Sequence, residues 1–273
     1  PAWAARTPGG CELEGTRAFS RPISAAGLVG YRAVIDSLLA LGARDGVELK
    51  WWAPWNEPND PLFVSPQHAS CDERAPTVAP AVYAELAQAA ADELAAAGGV
   101  HHLLLGELNA FPTDSPHRTS VASFVAALPQ SVICLSETWS IHSYAARYDP
   151  APEPEPTAEL ERSLDLRGKC GRQASIWVTE AGAGAPHPGL PRPAGAADEH
   201  KGCLRLAQQL QGWTADPRVK AIFQYSFRED PAFPVGLLSA DLSHVYPAYG
   251  LWADYTRASA RGLAPPPQTA LCA

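Results

Sequence analysis

Segments that read as β-strands alternate with segments that read as α-helices along almost the whole chain, and this limits the fold more than any other feature. "VELKWWAPWN" (47–56), "VHHLLLGEL" (100–108), "TWSIHSYA" (138–145), "SIWVTEAGAG" (175–184) and "VKAIFQYSF" (219–227) are short, apolar and rich in β-branched or aromatic residues. Helical patterns surround them: 28–46, closed by a glycine; the alanine-rich 79–99, closed by two; 119–128, capped by Thr119 or Ser120; then 157–166, 198–215 and 247–260. Strands joined through helices pair in parallel by crossovers. The expected class is α/β, as a (β/α)8 barrel or a doubly wound sheet.

The residues able to do chemistry favour the barrel. No GxGxxG or GxxxxGK[ST] run marks a nucleotide-binding first turn. Asn56 and Glu57, His142 and Tyr144, Glu180, and Arg228 to Asp230 instead fall just past the C-terminal ends of strands. That is where a (β/α)8 barrel carries its active site. Five strands are legible where a closed barrel has eight. The expectation is thus a partial barrel over 1–262 with a tail at 263–273. The proline run "DPAPEPEP" (149–156) is too short for a domain linker and reads as an excursion before the next helix.

Composition narrows the function. With 46% hydrophobic and 18% charged residues the chain is globular. A formal net charge of -8 and no basic run beyond a pair argue against nucleic acid and anionic membranes as partners. No membrane span is expected, because Asp92, Glu93 and Gly98 interrupt the most apolar region. The chain contains no methionine and opens on Pro1, which reads as a processed or truncated piece. The six cysteines form no CxxC pair, which points to disulfides in an oxidising compartment and hence secretion. Their pairing is open, and Cys134, in an apolar strand-like run, is equally readable as a buried free thiol.

"KWWAPWNEPND" (50–60) sets the carboxyl of Glu57 among three tryptophans, and "SIWVTE" brings Glu180 to the end of another aromatic strand. Two facing carboxyl groups are what glycosidic cleavage needs: one protonates the leaving oxygen and the other attacks the anomeric carbon or activates water. Indole faces stack on sugar rings, so at least one of Trp51, Trp52 and Trp55 is expected to line a subsite, with alternation sending another into the core.

"WNEPN" (55–59) together with "WVTEAG" (177–182) resembles the retaining glycoside hydrolases of clan A, a (β/α)8 superfamily that includes cellulases, mannanases and β-xylosidases. "IHSY" (141–144) is similar to the His-x-Tyr often found at the end of strand six of that clan. The resemblance covers nearly the whole chain and implies that Glu57 ends strand four, Glu180 strand seven and "YSF" strand eight, the first three βα units being absent. It implies Glu57 as general acid/base and Glu180 as nucleophile, with no cofactor. It further implies that Asn56 bonds the sugar 2-hydroxyl, that Tyr144 donates to Glu180, and that His142 lines the acid/base side. Tyr225 or Phe227 would stand where many members carry a tryptophan platform, and the clan's strand-two arginine falls outside this chain. The substrate implied is an oligosaccharide, polysaccharide or simple glycoside. The alternative is a non-catalytic carbohydrate-binding remnant, inactive through truncation.

Blander readings apply to the neighbours. Glu107 follows strand five and is the weaker candidate for a second acid, while Glu137 precedes its strand and reads as surface. His101 and His102 open a strand on the opposite rim, and His117, His187 and His200 lack ligand spacing, so no metal is expected. Arg228, a candidate substrate contact, sits with Glu229 and Asp230 in a segment that reads first as a loop salt bridge. Ser20, Ser65 and Ser143 lack the GxSxG setting of an ester hydrolase. Trp139 and Trp213 read as core, and Trp252 as packing from the last helix.

Overall fold

The computed structural model describes residues 1–72, 74–144, 155–263 and 272. Most of the proline run at 149–156 and the "APPPQ" tail fall outside the described residues. Two compact units are present, one made of Pro1–Ile141 and Ala158–Ile176, the other of His142–Thr157 and Trp177–Ala273.

In the first unit, α1 (Ala25–Asp45) starts where the Ser24 hydroxyl accepts the Gly27 N–H and ends at Gly46, whose φ of 68° needs a residue without Cβ strain. This helix begins three residues before the apolar pattern does, because the serine cap, not the first large apolar side chain, sets its start. It lies against α2 (Ala79–Ala97). Arg32 reaches across to Asp92 at 3.1 Å and Glu93 at 2.7 Å. By length and composition α1 passes as a membrane span, contrary to expectation. In this unit it is a helix packed on α2, with Val29, Val34, Leu38 and Leu41 exposed.

Strand β1 is only Trp51–Trp52, far shorter than the apolar run 47–56. It pairs in parallel with β2 (His102–Leu103), Trp51 opposite His102 and Trp52 opposite Leu103. The ladder stops because Pro54 offers no N–H and the chain then turns through the Asn56–Asn59 stretch. The run 100–108 is likewise broken: Leu104 separates β2 from β3 (Leu105–Asn109). Gly106, at φ 103°, lies inside β3, where a Cβ would stand 2.4 Å from the Ser140 carbonyl oxygen. After α3 (Val121–Ala127) comes α4 (Gln130–Ile133), so Cys134 caps a short helix and does not sit in a strand.

Strands β4 (Thr138–Tyr144) and β5 (Ser175–Gly182) each begin in the first unit and end in the second, with α5 (Pro156–Asp165) and α6 (Gly168–Arg172) between them. In the first unit β3 neighbours β4, and the Ser175 N–H at the start of β5 donates to the Glu137 carbonyl at 2.8 Å. Every residue of β3 and β4 is buried. In the second unit the order is β4, β5, then β6 (Val219–Gln224), reached through α7 (Ala196–Ala215). Strand β6 has no fully buried residue, and α8 (Pro247–Ala260) follows it. Consecutive strands joined by helical crossovers define a mixed α/β fold with parallel sheets.

Trp139, Tyr83, Phe124, Leu105 and Ile133 are core residues of the first unit, with the rings of Tyr83 and Phe124 edge to face at 5.7 Å. Trp213, Leu206, Leu210 and Val178 are core residues of the second, so Trp139 and Trp213 are core as expected and Trp252 is half-buried. All six cysteines are paired, Cys11–Cys71, Cys134–Cys170 and Cys203–Cys272, so the free-thiol reading of Cys134 is wrong.

Candidate active site

In the first unit Glu57 is held by its backbone. Its φ is 38°, a left-handed conformation uncommon for glutamate. Its N–H donates to the Glu107 carbonyl and its own carbonyl accepts the Asp60 N–H, both at 2.9 Å. The residue is 9% exposed. Glu107 is also left-handed, at φ 50°, and its N–H donates to the Ser140 hydroxyl at 2.8 Å. Glu107 is thus a buried companion of Glu57 through the main chain.

Of the three tryptophans beside Glu57 none is fully buried, so the expectation that one enters the core fails; a two-residue strand is too short to impose alternation. Trp51 is exposed, its ring 4.6 Å from that of His102. Trp52 and Trp55 are half-buried, and their indole N–H groups donate to the carbonyls of Leu49 at 2.8 Å and Phe63 at 3.1 Å. Asn56 is half-buried.

Behind Glu57 lies a buried polar network that sequence reasoning passed over. Asn59 brackets Asn109: its Oδ1 accepts the Asn109 N–H, and its Nδ2 donates to the Asn109 carbonyl, each at 2.8 Å. Asn109 Nδ2 donates to Asp60 Oδ2 at 2.9 Å. Gln67 accepts the Thr119 hydroxyl at 2.7 Å and donates to the carbonyls of Pro58 and Val64. The available signal was the polar run after the tryptophans, since a buried amide has to find hydrogen-bond partners.

In the second unit the Glu180 carboxylate collects two partners from β4. His142 and Tyr144 are two apart on the strand and share one face. The Tyr144 hydroxyl donates to Glu180 Oε2, and His142 Nδ1 stands 3.3 Å from the same oxygen. Both are buried, while the Glu180 side chain keeps 23% exposure. Two partners on one oxygen favour the ionised carboxylate, provided the imidazole carries its proton on Nδ1.

Tyr225 joins this group: its ring is edge-on to Tyr144 at 6.4 Å, and both rings pack against Phe233, at 6.2 and 4.8 Å. Phe233 was not singled out by sequence, since it lies in a loop with no strand periodicity. Phe227 does not join them; it is exposed and its ring meets Tyr249 of α8 at 6.2 Å. Arg228 is exposed and donates from Nε to the Ala240 carbonyl at 2.6 Å.

The salt bridge expected near Arg228 belongs to Glu229. Arg192 Nε donates to Glu229 Oε1 at 2.9 Å and the Tyr246 hydroxyl to Oε2 at 2.7 Å, while the guanidinium stacks 3.6 Å from the Tyr246 ring centre. Arg192 also donates to the carbonyls of Ala183 and Gly236, which ties the loop after β5 to the loop after β6. Burial, and then the bond to Glu229, push the Tyr246 phenol up to about 12. His117 lies against Cys11, but that sulfur is in a disulfide and offers no thiolate to a metal.

No protein-family model matches the sequence, and no curated protein matches it. Solved structures do. A GH39 β-xylosidase from Caulobacter crescentus superposes with a TM-score of 0.55 at 18% identity, over 81% of this chain and 46% of that one. A family 39 glycoside hydrolase from the gut symbiont Bacteroides cellulosilyticus WH2 gives 0.54 at 19% identity, over 88% and 46%. A GH5_18 enzyme from Streptomyces cattleya, in complex with GlcNAc, gives 0.53 at 15% identity, over 90% and 57%. These are clan A glycoside hydrolases, and the likeness is one of fold. The chain spans about half the length of the family 39 structures it matches.

Proposed function

We propose that this chain is the catalytic part of a retaining β-glycosidase, with Glu180 as nucleophile and Glu57 as general acid/base. The observation that carries the reading is the convergence of Tyr144 and His142 on one oxygen of Glu180. A nucleophilic carboxylate has to be ionised and fixed in orientation, and two partners from one strand face do both. Glu180 attacks the anomeric carbon while Glu57 gives its proton to the departing oxygen, leaving a covalent glycosyl-enzyme. Glu57, now a carboxylate, takes a proton from water, which displaces the sugar from Glu180 with net retention. The chemistry asks for carboxyl groups ~5–5.5 Å apart. Asn56, Trp55, Tyr225 and Arg228 are the proposed sugar contacts. Phe227 is the least supported of the proposed contacts, because its ring is spent on Tyr249. The family 39 neighbours make β-xylosides the first substrates to test.

The same proposal takes the fold as strands four to eight of a (β/α)8 barrel. An open edge supports it. In the second unit β6 pairs with β5, and a groove of about 550 Å³ is lined by its consecutive residues Val219 to Ile222. Successive residues of a strand point to opposite faces, so a groove that touches all four runs along the strand's free edge. Three disulfides support secretion.

The test is the first-formed anomer from an aryl β-xyloside, followed by NMR, with Glu57→Gln and Glu180→Gln as controls. A β-xylose product that needs both glutamates supports the reading. An α product, or hydrolysis surviving both substitutions, refutes it.

A further inference from the structure

We infer that Asn59 is a positioning residue for Glu57, acting through Asn109; the inference rests on the acid/base role proposed above. Strand β1 ends at Trp52, five residues before Glu57, so no regular ladder orients the carboxyl. Glu57 nevertheless holds a left-handed backbone, bonded to the Glu107 carbonyl on β3. Two residues further along each segment, the side-chain amide of Asn59 makes with the Asn109 main chain the two bonds that a neighbouring strand's peptide would make. Asn59 therefore continues the pairing of 57–59 with 107–109 past the point where the backbone alone can sustain it.

Three further bonds fix the bracket. Asn59 Nδ2 also donates to the Thr119 carbonyl at 3.0 Å, the Thr119 N–H donates to the Asn59 carbonyl at 3.2 Å, and Asn109 Nδ2 holds Asp60. Asp60 in turn gives its N–H to the Glu57 carbonyl, which closes a ring of bonds from Glu57 through Glu107, Asn109 and Asp60 back to Glu57. Asn59 is 0% exposed and cannot itself touch solvent or substrate. Its effect on chemistry has to pass through where Glu57 points.

That separates positioning from mere support. A misaimed acid harms substrates whose leaving group must be protonated and spares those whose leaving group departs unaided. For Asn59→Ala, kcat/KM on a phenyl β-glycoside should fall about 100-fold, the loss expected for a displacement near 1 Å. On the 2,4-dinitrophenyl glycoside it should change by less than about 3-fold. Asn59→Asp keeps the acceptor for the Asn109 N–H and loses the donor, so it should fall between wild type and Asn59→Ala on the phenyl substrate. It also provides the reading should the alanine variant not fold, which urea denaturation reports. Equal losses on both glycosides, or none on either, in a folded variant would overturn the role. Absence of hydrolysis by the unsubstituted protein would refute the proposed function itself, and this role with it, before any variant is compared.

Discussion

Tyr144 donates its hydroxyl to Oε2 of Glu180, from a strand face on which His142 presents Nδ1 to the same oxygen at 3.3 Å. Removing the hydroxyl without changing the ring, by Tyr144→Phe, isolates that donor. A hydrogen bond to a charged acceptor contributes about 1.5–3 kcal/mol. The rate of glycosyl-enzyme formation should therefore fall about 10- to 100-fold. Pre-steady-state release of dinitrophenol measures it, and an unchanged burst would remove Tyr144 from the mechanism.

The Arg192–Glu229 pair is nearly buried, with side-chain exposures of 12% and 7%. Truncating one partner strands the other charge, which typically costs about 3–5 kcal/mol, whereas removing both costs less than the sum. Glu229→Ala should lower urea-unfolding stability by about 3 kcal/mol, and the double variant with Arg192→Ala should recover part of it. Simple additivity would show that the ion pair does not tie the two loops.

Asp114 caps α3 from outside the helix, accepting the Ser120 N–H and the Ser123 hydroxyl, both at 2.6 Å. Burial raises its pKa, but the serine donors outweigh burial and hold the carboxyl below the usual aspartate range. A group whose folded pKa is depressed stabilises above its unfolded pKa, near ~3.9, and that stability is lost as pH falls through the folded pKa. Asp114→Asn should cost about 1 kcal/mol at neutral pH, with the two proteins converging as the pH falls through the depressed folded pKa. A gap that widens on acidification would contradict the assignment.

Cys11–Cys71 closes a loop with a sequence separation of 60, and Cys134–Cys170 one of 36. The chain-entropy account gives each about 4 kcal/mol, slightly more for the longer loop. Replacing Cys11 and Cys71 by serine should lower stability by that order in chemical denaturation. A change under about 0.5 kcal/mol would show that the bridge constrains the unfolded chain little.

The α/β alternation was legible because its signals are local. Caps, glycine stops and apolar runs gave the positions of α1, α2, α7, α8, β4 and β5 within a few residues. The failures were where tertiary pairing decides. Nothing in "VELKWWAPWN" says that only Trp51 and Trp52 find a ladder partner, and nothing in "VHHLLLGEL" says that the chain breaks at Leu104. The resemblance implied the Tyr144 bond to Glu180, but it placed His142 on the acid/base side, and the approach of His142 to the same carboxylate oxygen was not foreseen. Nor was the Asn59–Asn109 bracket, because it joins side chain to main chain across 50 residues and follows no periodicity. Phe233 and Arg192, both on loops, were missed for the same reason.

The central claim is that Glu180 forms the covalent bond to sugar, and mechanism-based trapping tests it most directly. Intact protein would be incubated with a 2,4-dinitrophenyl 2-deoxy-2-fluoro-β-xyloside, digested, and the modified peptide sequenced by mass spectrometry. The account predicts one fluoroxylosyl group, esterified to Glu180, and slower loading in Tyr144→Phe. Modification at Glu57, Glu107 or any other residue, or sugar binding with no adduct at all, would contradict it.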